Sequence, residues 1–412
     1  MRVVYFVSLF PCWSETFIVR EIRALIDLGM DVHIVSLKPP SETLTQSDAE
    51  TLLDRVIYPP GKARAMLLAG AELLRHPLLS FTELGQIMRG LRQQPLALIK
   101  TLVTWWRTLA MLRAVARLQP DHLHAHWATY PSTAAMFAAR RLELPFSFTA
   151  HAHDIFLEDQ LLTPKLAHAR FSVTISQYNR AFLAGRFSRV LLDRMRVIHC
   201  GVCPQDYAFT PQDRQPGLIL AVGRLDPIKG FGHLIEACGL LAERGMEFTC
   251  CIIGEGPLRE PLSRQITRAG LQHRVQLLGA RKQEDVRALL SRAAVFVLPC
   301  VITPQGDRDG IPVALMEAMA CGTPVVSTRV SGIPELVSDT ICGLLAEPGD
   351  AADLARCIEH QLHSTAEVQA RVLEGRRKVV AEFSVATEAA KLQAAIASGG
   401  MPSGAVAPAG HG

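Results

Sequence analysis

RVVYFVSLF (residues 2–10), SETFIVREIRALIDLG (14–29) and DVHIVSL (31–37) open the chain in the order strand, helix, strand. The outer two are short apolar runs. The middle one repeats Ile18, Ile22, Leu25 and Ile26 at helical spacing and stops at Gly29, with Ser14 standing where an N-cap belongs. One apolar helix face between two strands predicts a βαβ unit whose helix covers a parallel sheet.

The alternation continues outward. LHAHWA (123–128) and FSFTAH (146–151) read as further strands, separated by the helical STAAMFAARRL (132–142). Turn-forming residues then cluster in VIHCGVCPQDYAFTPQDRQPG (197–217), which marks a boundary. Beyond it LILAVG, FTCCIIG, VQLLG, VFVLP and PVVST alternate with helical stretches such as GHLIEACGLLAERG and EDVRALLSRAA. The fold class predicted is α/β, with two Rossmann-like domains built on open parallel sheets. The Gly-, Ala- and Pro-rich residues 399–412 are expected to be a disordered tail.

Bulk composition narrows the function classes. With 412 residues, 49% hydrophobic and 20% charged, the chain can bury two cores, and its formal charge of +4 without a basic tail argues against nucleic acid as partner. No apolar run reaches the roughly 18 to 20 residues of a membrane span, and Pro11, Cys12 and Trp13 stand where a signal peptidase would need small residues. A cytoplasmic protein is expected, its ten cysteines reduced and the Cys200/Cys203 spacing fortuitous. Residues 62–117 are mostly helical and carry nine basic residues against Glu72 and Glu83, with Trp105 and Trp106 among them. Two readings stay open there: a basic amphipathic surface resting on the inner face of a membrane, or a solvated insertion with core tryptophans.

Four segments carry chemistry. GDRDGIPVALMEAMACGTPVVST (306–328) runs from a glycine-bearing loop into a helix and a strand, so Asp309 and Gly310 lie near backbone N–H groups and a helix dipole suited to an anion or sugar hydroxyls. Glu317, amid Val313, Ala314, Leu315 and Met316, needs hydrogen-bond donors if buried; ribose hydroxyls would serve, as would a local network. In ILAVGRLDPIKG (219–230) the turn after a strand presents Arg224 and Lys229, two cations that suit a diphosphate. CIIGEGPL (251–258) offers Gly254 and Gly256 as points of close backbone approach. FSFTAHAHDIF (146–156) delivers His151, His153 and Asp154 to the C-terminal edge of a sheet. His122, His124 and His126 share one strand face, and the His-x-His pairs leave a metal-dependent hydrolase as the alternative. Asp307 and Asp309 form an Asp-x-Asp in a position unsuited to a metal, since Arg224 and Lys229 already supply positive charge.

Together these segments resemble glycosyltransferase family 4, whose signature places two acidic residues around seven others; Asp309 and Glu317 hold those positions, with aspartate where glutamate is usual. The likeness includes SETFIVREI and is nearest to bacterial transferases of exopolysaccharide, such as colanic acid, biosynthesis. It implies a GT-B fold of two facing domains (1–203 and 204–380), a hinge near Gly201, a helix over about 381–398 crossing back, and closure over the donor. It implies retention of configuration with no enzyme nucleophile and no metal. Arg224 and Lys229 would hold the diphosphate, Glu317 the ribose, and His151 with Asp309 the sugar, making His151, Asp309, Arg224 and Lys229 the catalytic set. Ser14, Glu15, His126, His153 and Asp154 are candidate acceptor or sugar contacts. The donor is expected to be a UDP-sugar, or a GDP-sugar, and the acceptor a saccharide or lipid-linked saccharide. A glycogen- or sucrose-type transferase, a nucleotide-sugar epimerase (which lacks its early Gly-x-Gly-x-x-Gly here) and a catalytically degenerate sugar-binding scaffold are the remaining alternatives.

Overall fold

Apolar strands that alternate with amphipathic helices have only one economical arrangement, a parallel sheet covered on both faces. The computed structural model describes residues 1–12, 15–39, 47–157, 160–212, 214–363 and 366–398 and forms this arrangement twice. In the first sheet β1 (Arg2–Val7), β2 (Asp31–Ser36), β3 (Val56–Ile57), β4 (His122–His126), β5 (Phe146–Ala150), β6 (Phe171–Thr174) and β7 (Met195–Val197) lie in the order 3-2-1-4-5-6-7. The second holds β8 (Gln215–Val222), β9 (Thr249–Ile253), β10 (Val275–Gly279), β11 (Ala293–Val297), β12 (Val325–Thr328) and β13 (Leu344–Ala346) in the order 10-9-8-11-12-13. In each the strand order reverses beside the first strand, at β1/β4 and at β8/β11. Ligands of open α/β sheets bind beyond the strand C-termini at such switch points.

The chain divides into two compact units, one of residues 1–175, 180–198 and the chain from Ala389, the other of Ser176–Asn179 and His199–Glu388. The helix expected over about 381–398 is broken. One helix ends at Glu382 and another runs Val385–Ala397, because Phe383 O and Val385 N both bond to Val202, and Ser384 pairs with it as an isolated bridge. Gly201 permits this approach: a Cβ there would sit 2.5 Å from Val385 Cα.

Residues 62–117 fold as three helices, Lys62–Arg75, Pro77–Leu91 and Pro95–Arg117, packed on one another. Trp105 is core, its indole N–H donating to Glu83 Oε2 at 2.6 Å, and Glu83 in turn accepts from the buried Arg141 guanidinium at 2.6 Å. Trp106 is half-buried. The first helix of the chain starts at Thr16 with Glu15, not Ser14, in the N-cap position. Ser14 itself and the 399–412 tail lie outside the described residues. Among the described residues no cysteine is disulfide-bonded, and no helix is long and apolar enough to cross a membrane.

Candidate active site

The turn after β8 is shaped by Gly230, which sits in the left-handed region (φ +67) with no room for a side chain: a Cβ would lie 1.9 Å from Pro299 O. This contact ties the β8 turn to the chain leaving β11, as does Val301 N–H donating to Ile228 O at 3.0 Å. Two sequence-distant groups thereby meet, and Lys229 Nζ donates to Asp309 Oδ2 with both side chains mostly buried. Burial is the largest influence on Lys229 and works against its charge, but the Asp309 carboxylate, together with Cys300 and Asp226, leaves the Lys229 pKa raised, so the ammonium persists. Asp309 also accepts from Gly310 N–H at 3.1 Å and lies 3.8 Å from Cys300 Sγ. Burial, reinforced by that carboxylate, holds the Cys300 thiol protonated.

Other expected donor residues are placed differently. Arg224 is exposed over 71% of its side chain, its Nε 3.8 Å from Asp226, and a solvated guanidinium of that kind is able to swing onto a ligand. Glu317 is buried on the helix Val313–Ala320 and its Oε1 accepts from Tyr207 Oη at 2.8 Å and Gln283 Nε2 at 3.0 Å. That is the local network left open above. Gly254 and Gly256 turn their bare Cα atoms to protein backbone: Cβ atoms there would fall 1.9 Å from Gly223 O and 2.5 Å from Leu225 O. The two turns are stitched by Gly223 N to Ile253 O (3.0 Å) and Leu225 N to Glu255 O (2.9 Å). Asp307 accepts from Arg308 N–H at 3.0 Å, and Arg308 reaches Tyr178 Oη at 2.8 Å.

In the first unit the pleat aims His122, His124 and His126 of β4 at alternate residues of β5. Ser147 Oγ lies 2.7 Å from His122 Nε2 and 2.8 Å from His124 Nδ1, and Thr149 Oγ1 lies 3.1 Å from His124 Nε2. His126 continues the ladder, with Nε2 2.9 Å from Glu21 Oε1 and Nδ1 3.1 Å from His151 Nε2. Tyr5 Oη donates to the same Glu21 oxygen at 2.8 Å. A carboxylate only accepts, so His126 carries its proton on Nε2 and accepts through Nδ1. His151 therefore carries its proton on Nε2 and keeps Nδ1 as an acceptor. Burial, with His126 beside it, pushes the His151 pKa well below its ordinary value, so the ring is neutral.

The loop around His151 is pinned from beneath. Asp154, expected to touch acceptor or sugar, is instead fully buried, and accepts from the backbone N–H groups of His151 (2.7 Å) and Ala128. Burial raises its pKa to about 6. Lys165, also fully buried, donates to the carbonyls of Ala128 (2.5 Å), Thr129 (2.7 Å) and Gln160 (2.8 Å). His153 is exposed on the one-turn helix His153–Phe156. Glu15 holds Trp127, accepting from its Nε1 at 3.0 Å. Trp127 has φ +76, strained for a bulky residue, and its ring centroid lies 4.4 Å from that of His151.

Glu21, Tyr5, Trp127, Lys165, Tyr207 and Gln283 were not singled out in the sequence. Only Glu21 left a trace there, as a charge beside the apolar stripe of Ile18, Ile22 and Leu25. Glu21, His124 and His126 place donor atoms within 4.8 Å of one another, a spacing open to a cation. Every imidazole nitrogen of that trio is already hydrogen-bonded to a side chain, so an ion would have to displace the ladder.

Comparison with known proteins converges on one kind of molecule. Residues 14–206 match the family model described as Glycosyltransferase Family 4, and residues 206–379 the model described as Glycosyl transferases group 1. The chain is 31% identical over 403 residues to the putative colanic acid biosynthesis glycosyltransferase WcaL of Escherichia coli, covering 93% of this chain and 96% of that one. It is 29% identical, at the same coverages, to the amylovoran biosynthesis glycosyltransferase AmsK of Erwinia amylovora. In fold it is similar to Anabaena Alr3699/HepE, crystallised in complex with UDP-glucose (TM-score 0.69, 19% identity, 97% of this chain and all of that one).

Proposed function

Since this chain belongs to glycosyltransferase family 4 and is a GT-B glycosyltransferase, we propose that it transfers a sugar, with retention, from a nucleoside diphosphate sugar to a saccharide or lipid-linked saccharide in exopolysaccharide synthesis. Family membership removes the metal-dependent hydrolase alternative. A UDP-sugar is the favoured donor and a GDP-sugar the second choice. The named complex of the fold relative supports the first, and the named pathways of the sequence relatives support the polysaccharide acceptor.

The observation that carries the proposal is the Lys229–Asp309 ion pair at the switch point of the second sheet. A diphosphate arriving there meets an ammonium already fixed in place, so little reorganisation opposes stabilisation of the charge that grows on the leaving nucleotide. Arg224 supplies a second cation from solvent, and Asp309, relieved of the lysine, is available to a sugar hydroxyl. Glu317 takes the ribose by exchanging Tyr207 or Gln283 for its hydroxyls. His151, neutral and with its Nδ1 accepting, is suited to a sugar hydroxyl rather than to a phosphate. The departing phosphate takes the acceptor's proton, so no protein nucleophile is required.

A thermal-shift panel of UDP-, GDP- and ADP-sugars tests this reading. A true donor at 100 times its dissociation constant adds about 2.7 kcal/mol of stability, and Lys229→Ala should abolish that gain. A chain stabilised by none of them, or a variant stabilised as much as the parent, would overturn the proposal.

A further inference from the structure

The three helices between β3 and β4 expose apolar surface that the fold does not use. Of the large hydrophobic residues exposed among the described residues, half fall between Met66 and Val103. Leu67, Leu74, Leu78, Phe81, Leu96 and Ile99 are 60–84% exposed. Helical spacing puts each helix's share on one face, while the opposite faces, with Ala69, Ile87 and Trp105, enter the core.

Charge decides what would cover such a surface. Lys62, Arg64, Arg75, Arg89, Arg92 and Lys100 are exposed around it, whereas Glu72 and Glu83, the two acids of residues 62–117, are turned inward to the buried Arg141. The exterior of this segment therefore carries apolar and cationic groups, with neutral polar ones such as Thr82, Gln93 and Gln94, while both of its acids are buried. A second copy seated isologously would set cations against cations. An anionic bilayer satisfies both demands, since leucine and phenylalanine enter the acyl boundary while lysine and arginine meet headgroup phosphates.

We propose that these three helices dock the protein on the surface of an anionic membrane. The docking stands on exposure and charge alone; its consequence, access to a lipid-linked acceptor, rests on the transferase reading above.

Flotation of the full chain with phosphatidylglycerol-containing vesicles, against pure phosphatidylcholine vesicles, tests it. Binding to the anionic vesicles alone, weakened by salt, is expected. Arg89→Ala with Arg92→Ala should lower partitioning roughly thirty-fold, near five-fold per cation, and Leu78→Gln with Phe81→Gln should remove the binding that survives high salt. Equal binding to both vesicle types, or none to either, overturns the proposal with the parent chain alone. So does a concentration-dependent dimer in sedimentation that Leu78→Gln with Phe81→Gln dissolves. Donor thermal shifts, measured on the same samples, should be unchanged in both variants. Their absence in the parent would sink the transferase reading while leaving the docking result intact.

Discussion

The two units hold their site residues by opposite electrostatic means. In the first, a ladder of imidazoles runs through Ser147, Thr149 and His151 and ends on the Glu21 side chain. In the second, an ammonium and a carboxylate are paired outright. Neutral groups can be buried deeply when most of their hydrogen bonds are made, as here with His122 Nδ1 left without a partner, and they then fix a geometry that water and salt do not loosen. A buried ion pair gains less from its own contact, because desolvation offsets much of the attraction, but it keeps a charge ready for an anionic ligand. The ladder suits orientation of a sugar, and the pair suits a diphosphate.

Acid should break the first unit before the second, and this is the largest effect expected. Burial lowers the pKa of His122 to about 3 and those of His124 and His151 well below 6.5, so all three stay neutral when folded and take up protons on unfolding. Stability is therefore lost as pH falls below about 6.5. Asp154, raised to about 6, acts in the opposite sense, since the folded state protonates it first. The net uptake of two protons predicts a loss of about 2.7 kcal/mol per pH unit between roughly pH 5.5 and 4. In the second unit Asp339, lowered by its Arg329 pair despite burial, protonates only below its ordinary carboxylate range. Calorimetry should thus show two transitions that separate on acidification; a common shift of both would dissolve the contrast.

Next in size is the removal of Lys229. Lys229→Ala should cut turnover about 100- to 1,000-fold, the usual cost of losing one preorganised charge-stabilising donor, and should destabilise the second unit by stranding Asp309 without its partner. Adding Asp309→Ala sharpens the test. The double variant should recover much of the lost thermal stability and none of the lost turnover, as read by nucleotide release. Recovery of both would make the pair structural.

The fold was legible because it rests on local signals, apolar runs of strand length set between helical stripes, and the approach of Lys229 to Asp309 was legible because loops after parallel strands converge at a switch point. What escaped the sequence depends on contacts between distant residues. The break at Phe383 and Ser384 is fixed by pairing to Val202, far back in the chain. Gly254 and Gly256 announce close approach without saying to what; the answer is the backbone of Gly223 and Leu225. Glu317 announces a buried carboxylate that needs donors without saying which; Tyr207 and Gln283 supply them from two other segments. Asp154 sits beside His151 in sequence and reads as a site acid, yet it is buried under the loop that it pins.

The smallest effect tests whether the ladder does more than hold its place. Glu21 lies 105 positions from His126 in sequence and touches none of His151, Asp309, Arg224 and Lys229, so a purely structural role predicts that its replacement changes stability alone. If instead it sets the tautomers, Glu21→Gln should act at a distance. Both partners lie on Oε1, so the exchange requires the glutamine to seat its amide nitrogen there, where it donates to Tyr5 Oη and to His126 Nε2 and moves the His126 proton to Nδ1. His151 would then have to accept through Nε2 and carry its proton on Nδ1, presenting a donor where the parent presents an acceptor. Turnover should fall roughly three- to ten-fold, the worth of one hydrogen bond, with donor affinity little altered. The nitrogen chemical shifts of His151 should report the exchange of tautomers. An unchanged His151 tautomer accompanied by an unchanged rate would reduce the ladder to scaffolding and leave the charged pair as the sole electrostatic device of the two.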